Sequence, residues 1–269
     1  MKQKKLVLLV SILVFFFTGW AGQVKFDFDA YHTPAELNKA LKNFASAYPK
    51  VAAIHKIAVS PGSREVNLIE IGPEVKKKTK LLPAVFVAAN MEGTVPISSE
   101  AAVYLIKSVL EKPEVRKDKT WYILPVGNPD AAIKYFEKPL VMDARSARPH
   151  NDDMDDKTDE DGVEDLDKNG MITRMRVKDP EGQWLPIPGE PRLMKRADWT
   201  KGEKGVYKLY SEGIDNDKDG KYNEDGPGGV NIGINFPHLF KFFTKDGGLW
   251  AGSEAESYNL ITFINERKE

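Results

Sequence analysis

The sequence contains no cysteine, which rules out both a disulfide framework and a lipid-modified cysteine. Stability therefore has to come from an apolar core or from bound metal. Histidine is scarce, and the four present, His32, His55, His150 and His238, do not stand at a zinc-binding spacing from one another. Long apolar text is confined to one run, Leu6 to Phe17, which is shorter than the roughly 20 residues needed to span a bilayer. Lys2, Lys4 and Lys5 precede that run and Gly19-Trp20-Ala21 follows it, so residues 1–22 read as a signal peptide cleaved after Ala21 or Gly22. The expectation is an exported protein, periplasmic or extracellular, with no membrane span after cleavage. Excess positive charge is also lacking: the net charge is −1, and removing the three leader lysines makes the mature chain more acidic. Neither nucleic acid nor anionic lipid is an expected partner.

The remaining length allows one large α/β domain or two small ones. In "YHTPAELNKALKNFASAYPK", Thr33 is placed to cap a helix, with Pro34 at its first position and Glu36 completing a capping box. Leu37, Leu41, Phe44 and Ala45 recur at helical spacing, and Pro49 stops the helix. "VNLIEIG" (66–72) reads as a strand, and the lysine-rich "PEVKKKTK" after it as a solvated loop or hairpin. "LPAVFVAA" is a continuous apolar run suited to a strand covered on both faces. The next helix should bury Ala101, Ala102, Leu105, Ile106 and Val109, and "TWYILPVGNPDAA" supplies another buried strand ending in a turn. Strand, helix and strand in that order form a βαβ unit. The predicted fold is α/β, a mixed and largely parallel sheet flanked by helices.

Composition changes at about Met142. Between Asn151 and Asp167 about ten acidic side chains face a single lysine, and polar, glycine- and proline-rich text continues to Gly229. This reads as a loop-rich insertion at about 142–229 within a domain spanning 23–269. "DLDKNGMI" sets Asp165, Asp167 and Asn169 at the first, third and fifth positions of a calcium loop, with Gly170 at its sharp turn. "DNDKDGKYNED" repeats the pattern with Asp215, Asp217, Asp219 and Gly220. Alternate oxygens at this spacing converge where the chain wraps an ion. Neither loop has a glutamate at position twelve, which argues against helix-loop-helix sensors. The plainer alternative is a solvated, disordered acidic linker.

Several short stretches occur in an order that resembles the zinc metallocarboxypeptidases of the carboxypeptidase A type: "SPGSREVNLIEIG", "FVAANMEGTVP", "NPD", "RSARP", "GGVNIGINFPH" and "GSEAES". The acidic insert followed by "MITRMRVKDPEGQW" and "GVYKLYSEGIDNDKDGKYNEDGPGG" is similar to secreted bacterial members with such an insert. The resemblance implies an α/β/α fold, zinc as cofactor, peptide or protein carboxyl termini as substrate, and proteolysis as the activity.

The same resemblance implies that the site has decayed. Aligning "ANMEGTVP" on the family's metal loop puts Glu92 where the first zinc histidine belongs and Val95 where the zinc glutamate belongs. The asparagine-arginine pair that binds the substrate carboxylate falls on Gly233 and Ile234. "GSEAES" matches the segment before the second zinc histidine, so that histidine, the substrate tyrosine and the general-base glutamate are expected beyond Glu269, with the carboxyl-terminal part of the domain missing. Glu92 is then either a leftover loop carboxylate or part of a changed metal site. Arg148 of "RSARP" corresponds to an arginine that polarises the scissile carbonyl, or is a surface arginine neutralising the acidic run. No catalytic residue is assigned. Three functions follow: a working carboxypeptidase; a non-catalytic, calcium-stabilised protein binding peptide, glycan or a partner; or the amino-terminal part of an interrupted gene that needs a complementary fragment.

Overall fold

Thr33 opens the first helix as its sequence predicts. Its hydroxyl accepts from the Glu36 amide at 3.3 Å while its own amide donates to the Glu36 carboxylate at 2.8 Å. Helix α1 (Pro34–Ala47) then buries Leu37, Leu41 and Phe44 and stops before Pro49, which has no amide hydrogen to continue it. The computed structural model describes residues 24–75, 82–151, 154, 156–226 and 228–267. The leader, most of the lysine-rich loop, and Asp152, Asp153 and Asp155 of the acidic run lie outside the described residues.

Strands β1 (Ala52–Val59), β2 (Glu65–Ile71), β3 (Ala84–Ala88) and β4 (Thr120–Leu124) form one sheet in the order β1-β2-β4-β3. β3 and β4 run parallel, joined through helix α2 (Pro96–Glu111) and the short α3 (Pro113–Arg116). β1–β2 and β2–β4 are antiparallel. The sheet is mixed as expected, and its parallel part is this single βαβ pair.

Alternation along β2 and β4 divides the core. Ile69, Ile71 and Ile123 point to one face and pack with α1 and α2. Val66, Leu68, Tyr122 and Leu124 point to the other and pack with Leu260 and Phe263 of helix α5 (Ala255–Glu266). Each such fully buried aliphatic side chain contributes about 1.5–3 kcal/mol. The buried stripe of α2 consists of Ser99, Ala102, Val103, Ile106, Val109 and Leu110. Ala101 faces solvent instead of the core, because the i, i+3, i+4 rows through Ile106 select Ala102 and Val103 rather than their neighbour.

The insertion is more regular than its composition suggests. After the short α4 (Pro129–Lys134), strands β5 (Arg174–Lys178), β6 (Trp184–Ile187), β7 (Glu190–Arg196) and β8 (Tyr207–Ser211) build a second, fully antiparallel sheet in the order β5-β8-β6-β7. β5 alternates between exposed and half-buried positions, β6 and β8 are half-buried along most of their length, no residue of the four strands is fully buried, and Ala197 beside the sheet is buried. A sheet so lightly covered reads as polar text.

Candidate functional site

The loop after β3 is held by Asn90. This buried residue adopts φ +47°, a left-handed turn that asparagine tolerates. Its side chain donates to Ser99 Oγ at 3.1 Å and accepts from the Val95 amide at 3.0 Å. Its carbonyl accepts from the amides of Gly93 and Asn128. The loop therefore has a fixed shape at the carboxyl end of a parallel strand, where α/β sheets hold ligands.

The side chains on that loop do not make a zinc site. Glu92 is exposed, and Val95 is 45% exposed and has no donor atom. Across the cleft, a Cβ added to Gly233 would fall 2.9 Å from Glu92 Cγ, so the loop touches the turn Asn231–Asn235. The two stretches that the resemblance pairs functionally do meet in space, and their functional groups are absent. Among the described residues, the groups of three or more potential ligand side chains with atoms within 4.8 Å of one another include neither Glu92 nor any histidine. A catalytic zinc takes three protein ligands and an open position, and one carboxylate facing valine and glycine does not supply them.

The histidines are engaged elsewhere. His32 Nδ1 lies 3.1 Å from Glu100 on α2, and His55 Nε2 on β1 lies 2.7 Å from buried Glu70. The His150 amide donates to Asp159, and His238 is exposed after the "NFP" turn.

Arg148 is positioned by a buried polar lattice. Its guanidinium donates to Glu254, which is 3% exposed and also accepts from Ser253 Oγ at 3.0 Å. The preceding Ala147 amide donates to Asp130 at 3.1 Å. Burial opposes ionisation of Asp130, but hydrogen bonds from Ser60, the Gly62 and Ala147 amides and Arg64 outweigh it, and its carboxyl lies below the usual range. Buried Asn235 donates to the carbonyls of Gly247 and Trp250 and to Ser253 Oγ, and accepts from the Glu254 amide and Ser257 Oγ. Arg148 is therefore a structural partner of Glu254 rather than a counterion of the acidic run.

The acidic loops have the geometry their spacing predicts. Asp165 accepts from the amides of Asn169 (3.0 Å) and Gly170 (2.8 Å), and Asp215 accepts from those of Asp219 (3.1 Å) and Gly220 (3.0 Å). Gly170 and Gly220 take φ +84° and +92°, the turn that glycine permits without cost. Asp215, Asp217 and Asp219 converge within 4.8 Å.

The first loop has a ligand-type neighbour that its sequence does not reveal. Glu212, at the end of β8, joins Asp165 and Asp167 within 4.8 Å. It accepts from the Thr173 hydroxyl and from the amides of Thr173, Asp167 and Leu166, bonds that lower its pKa to about 2. Around the second loop, buried Asp161 accepts from the amides of Asn216 and Asn223. Glu224 stands near Asp161 and Asp219 with its pKa raised to about 7, first by burial and then by those two carboxylates, against the pull of its own amide. Glu164 accepts from the Ile214 amide and from Asn216 Nδ2. The segment 156–167 is thus bonded to 211–228 and is not a free linker.

Comparison with known proteins agrees with the architecture. Residues 37–169 match the sequence profile of the zinc carboxypeptidase family. Carboxypeptidase B of Astacus astacus is 22% identical over 114 residues, covering 41% of this chain and 36% of that one. The crystal structure of carboxypeptidase A from Helicoverpa armigera superposes with a TM-score of 0.56 at 15% identity, over 93% of this chain and 46% of that one. The chain spans less than half the length of either relative. Residues 37–169 are thus similar to the zinc carboxypeptidases, and the α/β fold is shared with carboxypeptidase A.

Proposed function

We propose that this chain is an exported carboxypeptidase-like protein that does not itself hydrolyse peptides. The observation that carries this reading is the hydrogen-bonded Asn90 loop, which sets Glu92 beside Gly233 and leaves Val95 exposed where the family's chemistry calls for metal ligands and an arginine. Without bound zinc there is no activated water to attack a peptide carbonyl. The proposed role of the surface where that loop meets the Asn231–Asn235 turn is to bind a peptide or protein carboxyl terminus.

Calcium is the proposed cofactor, in a stabilising role. Two loops with matching backbone geometry, Asp165-Asp167 with Glu212 and Asp215-Asp217-Asp219, offer the hard oxygen donors that this ion takes. Among the described residues no helix is long and apolar enough to cross a membrane. Export is tested by sequencing the amino terminus of the mature protein, expected to begin at Gly22 or Gln23.

The deciding experiment measures zinc and calcium by elemental mass spectrometry after dialysis against traces of both, alongside hydrolysis of carboxyl-terminal residues. Calcium without zinc, and no hydrolysis, is expected. About one zinc per chain with chelator-sensitive turnover would overturn the proposal.

A further inference from the structure

Helix α5 carries a carboxyl group that nothing in the site uses. Glu256, in its first turn, is 2% exposed, and neither side-chain oxygen has a hydrogen-bond partner. An ionised carboxylate in such a place loses its hydration without replacement, a cost large enough that the group is held neutral instead.

The charged surroundings add to this. From α4, Asp130 faces Glu256, and from its own chain so does Glu254 at the helix N-cap; both are carboxylates already paired with arginines, Arg64 and Arg148 respectively. On the β1 side, His55 lies against Phe263, two turns further along α5, and is bonded to Glu70. No cation is left over for Glu256 among these groups.

We propose that Glu256 is a pH sensor built into the α5 docking surface. Protonated, it lets α5 seat Leu260 and Phe263 on the sheet; when its proton passes to solvent, the resulting buried anion loosens the helix. Burial first, then Asp130 and Glu254, raise its pKa from 4.5 to about 7, against the pull of its own backbone amide. The folded chain therefore keeps a proton that the unfolded chain releases at about 4.5. Docking is strongest below 4.5, weakens as pH rises from there to about 7, and is constant above that.

The test compares the whole chain with Glu256→Gln by urea unfolding at closely spaced pH values from 4 to 8. Other carboxylates titrate in both proteins and cancel in the difference. Relative to the variant, the unfolding constant of the parent chain is expected to rise roughly tenfold per pH unit between 4.5 and about 7. A difference that does not change with pH would overturn the proposal. Amide exchange of α5 in the parent chain, corrected for intrinsic rates, provides a reading independent of the variant's folding. Protection at Leu260 and Phe263 should fall between pH 5 and pH 8, and equal protection would refute the sensor.

Discussion

Arg148 and Glu254 join two segments 106 positions apart, the first part of the insertion and the start of α5. Because Glu254 is buried and Arg148 is 39% exposed, the pair is asymmetric: losing the arginine strands a carboxylate out of water.

Arg148→Met is expected to destabilise the fold by about 1–3 kcal/mol, the cost of leaving a buried acceptor without its donor. Glu254→Gln, which still accepts from Ser253, should cost less. Urea titration of both variants ranks them, and equal losses would assign the effect to packing instead.

If the two acidic loops hold calcium, a chelator should lower the unfolding temperature of the parent chain and have no effect on Asp165→Asn/Asp215→Asn. At free calcium near 100 times its dissociation constant, the linked stabilisation is about 2.7 kcal/mol for each occupied site. Calorimetry with and without the chelator measures it, and an unchanged parent transition would exclude a stabilising ion.

Glu212 gives a pH signature in the absence of metal. Its folded value near 2 lies below the ordinary 4.5, so it supports folding above 4.5 and that support is lost as pH falls towards 2. Glu212→Gln should therefore be less stable than the parent at neutral pH, with the gap closing between 4.5 and about 2. Thermal melts across that range, in chelator, show whether it does.

β3 is an end strand of the first sheet, with no charge between Ala84 and Ala88 and Phe86 37% exposed. Edges of this kind invite pairing with other chains. Light scattering should show self-association that grows with concentration and is suppressed by Phe86→Lys; a strictly monomeric parent chain at high concentration would count against it.

Much of the fold was legible locally. The Thr33–Glu36 box and the apolar text of "AVFVA" and "TWYIL" specify α1, β3 and β4 within a few residues each, and "DLDKNG" and "DNDKDG" dictate their own turns. What stayed hidden is non-local. Glu212 reaches the first loop from 45 positions away, and Asn235 accepts from Glu254 and Ser257 only when α5 docks. The second sheet escaped because strands such as "RMRVK" alternate exposed charged residues with apolar ones that are only half-buried. The bond from Arg148 to Glu254 was hidden for the same non-local reason, its partner lying 106 positions away.

The stitching of 156–167 to 211–228 also bears on the order of assembly. Glu164 waits for Ile214 across 50 residues, and closing a loop of that length costs roughly 3–4 kcal/mol of chain entropy before any bond repays it. Until β8 has formed, the early acidic segment has nothing to receive it, and its crowded negative charges repel one another. The insertion should therefore mature in a single late step, leaving 156–167 open to proteases in any nascent or partly folded chain.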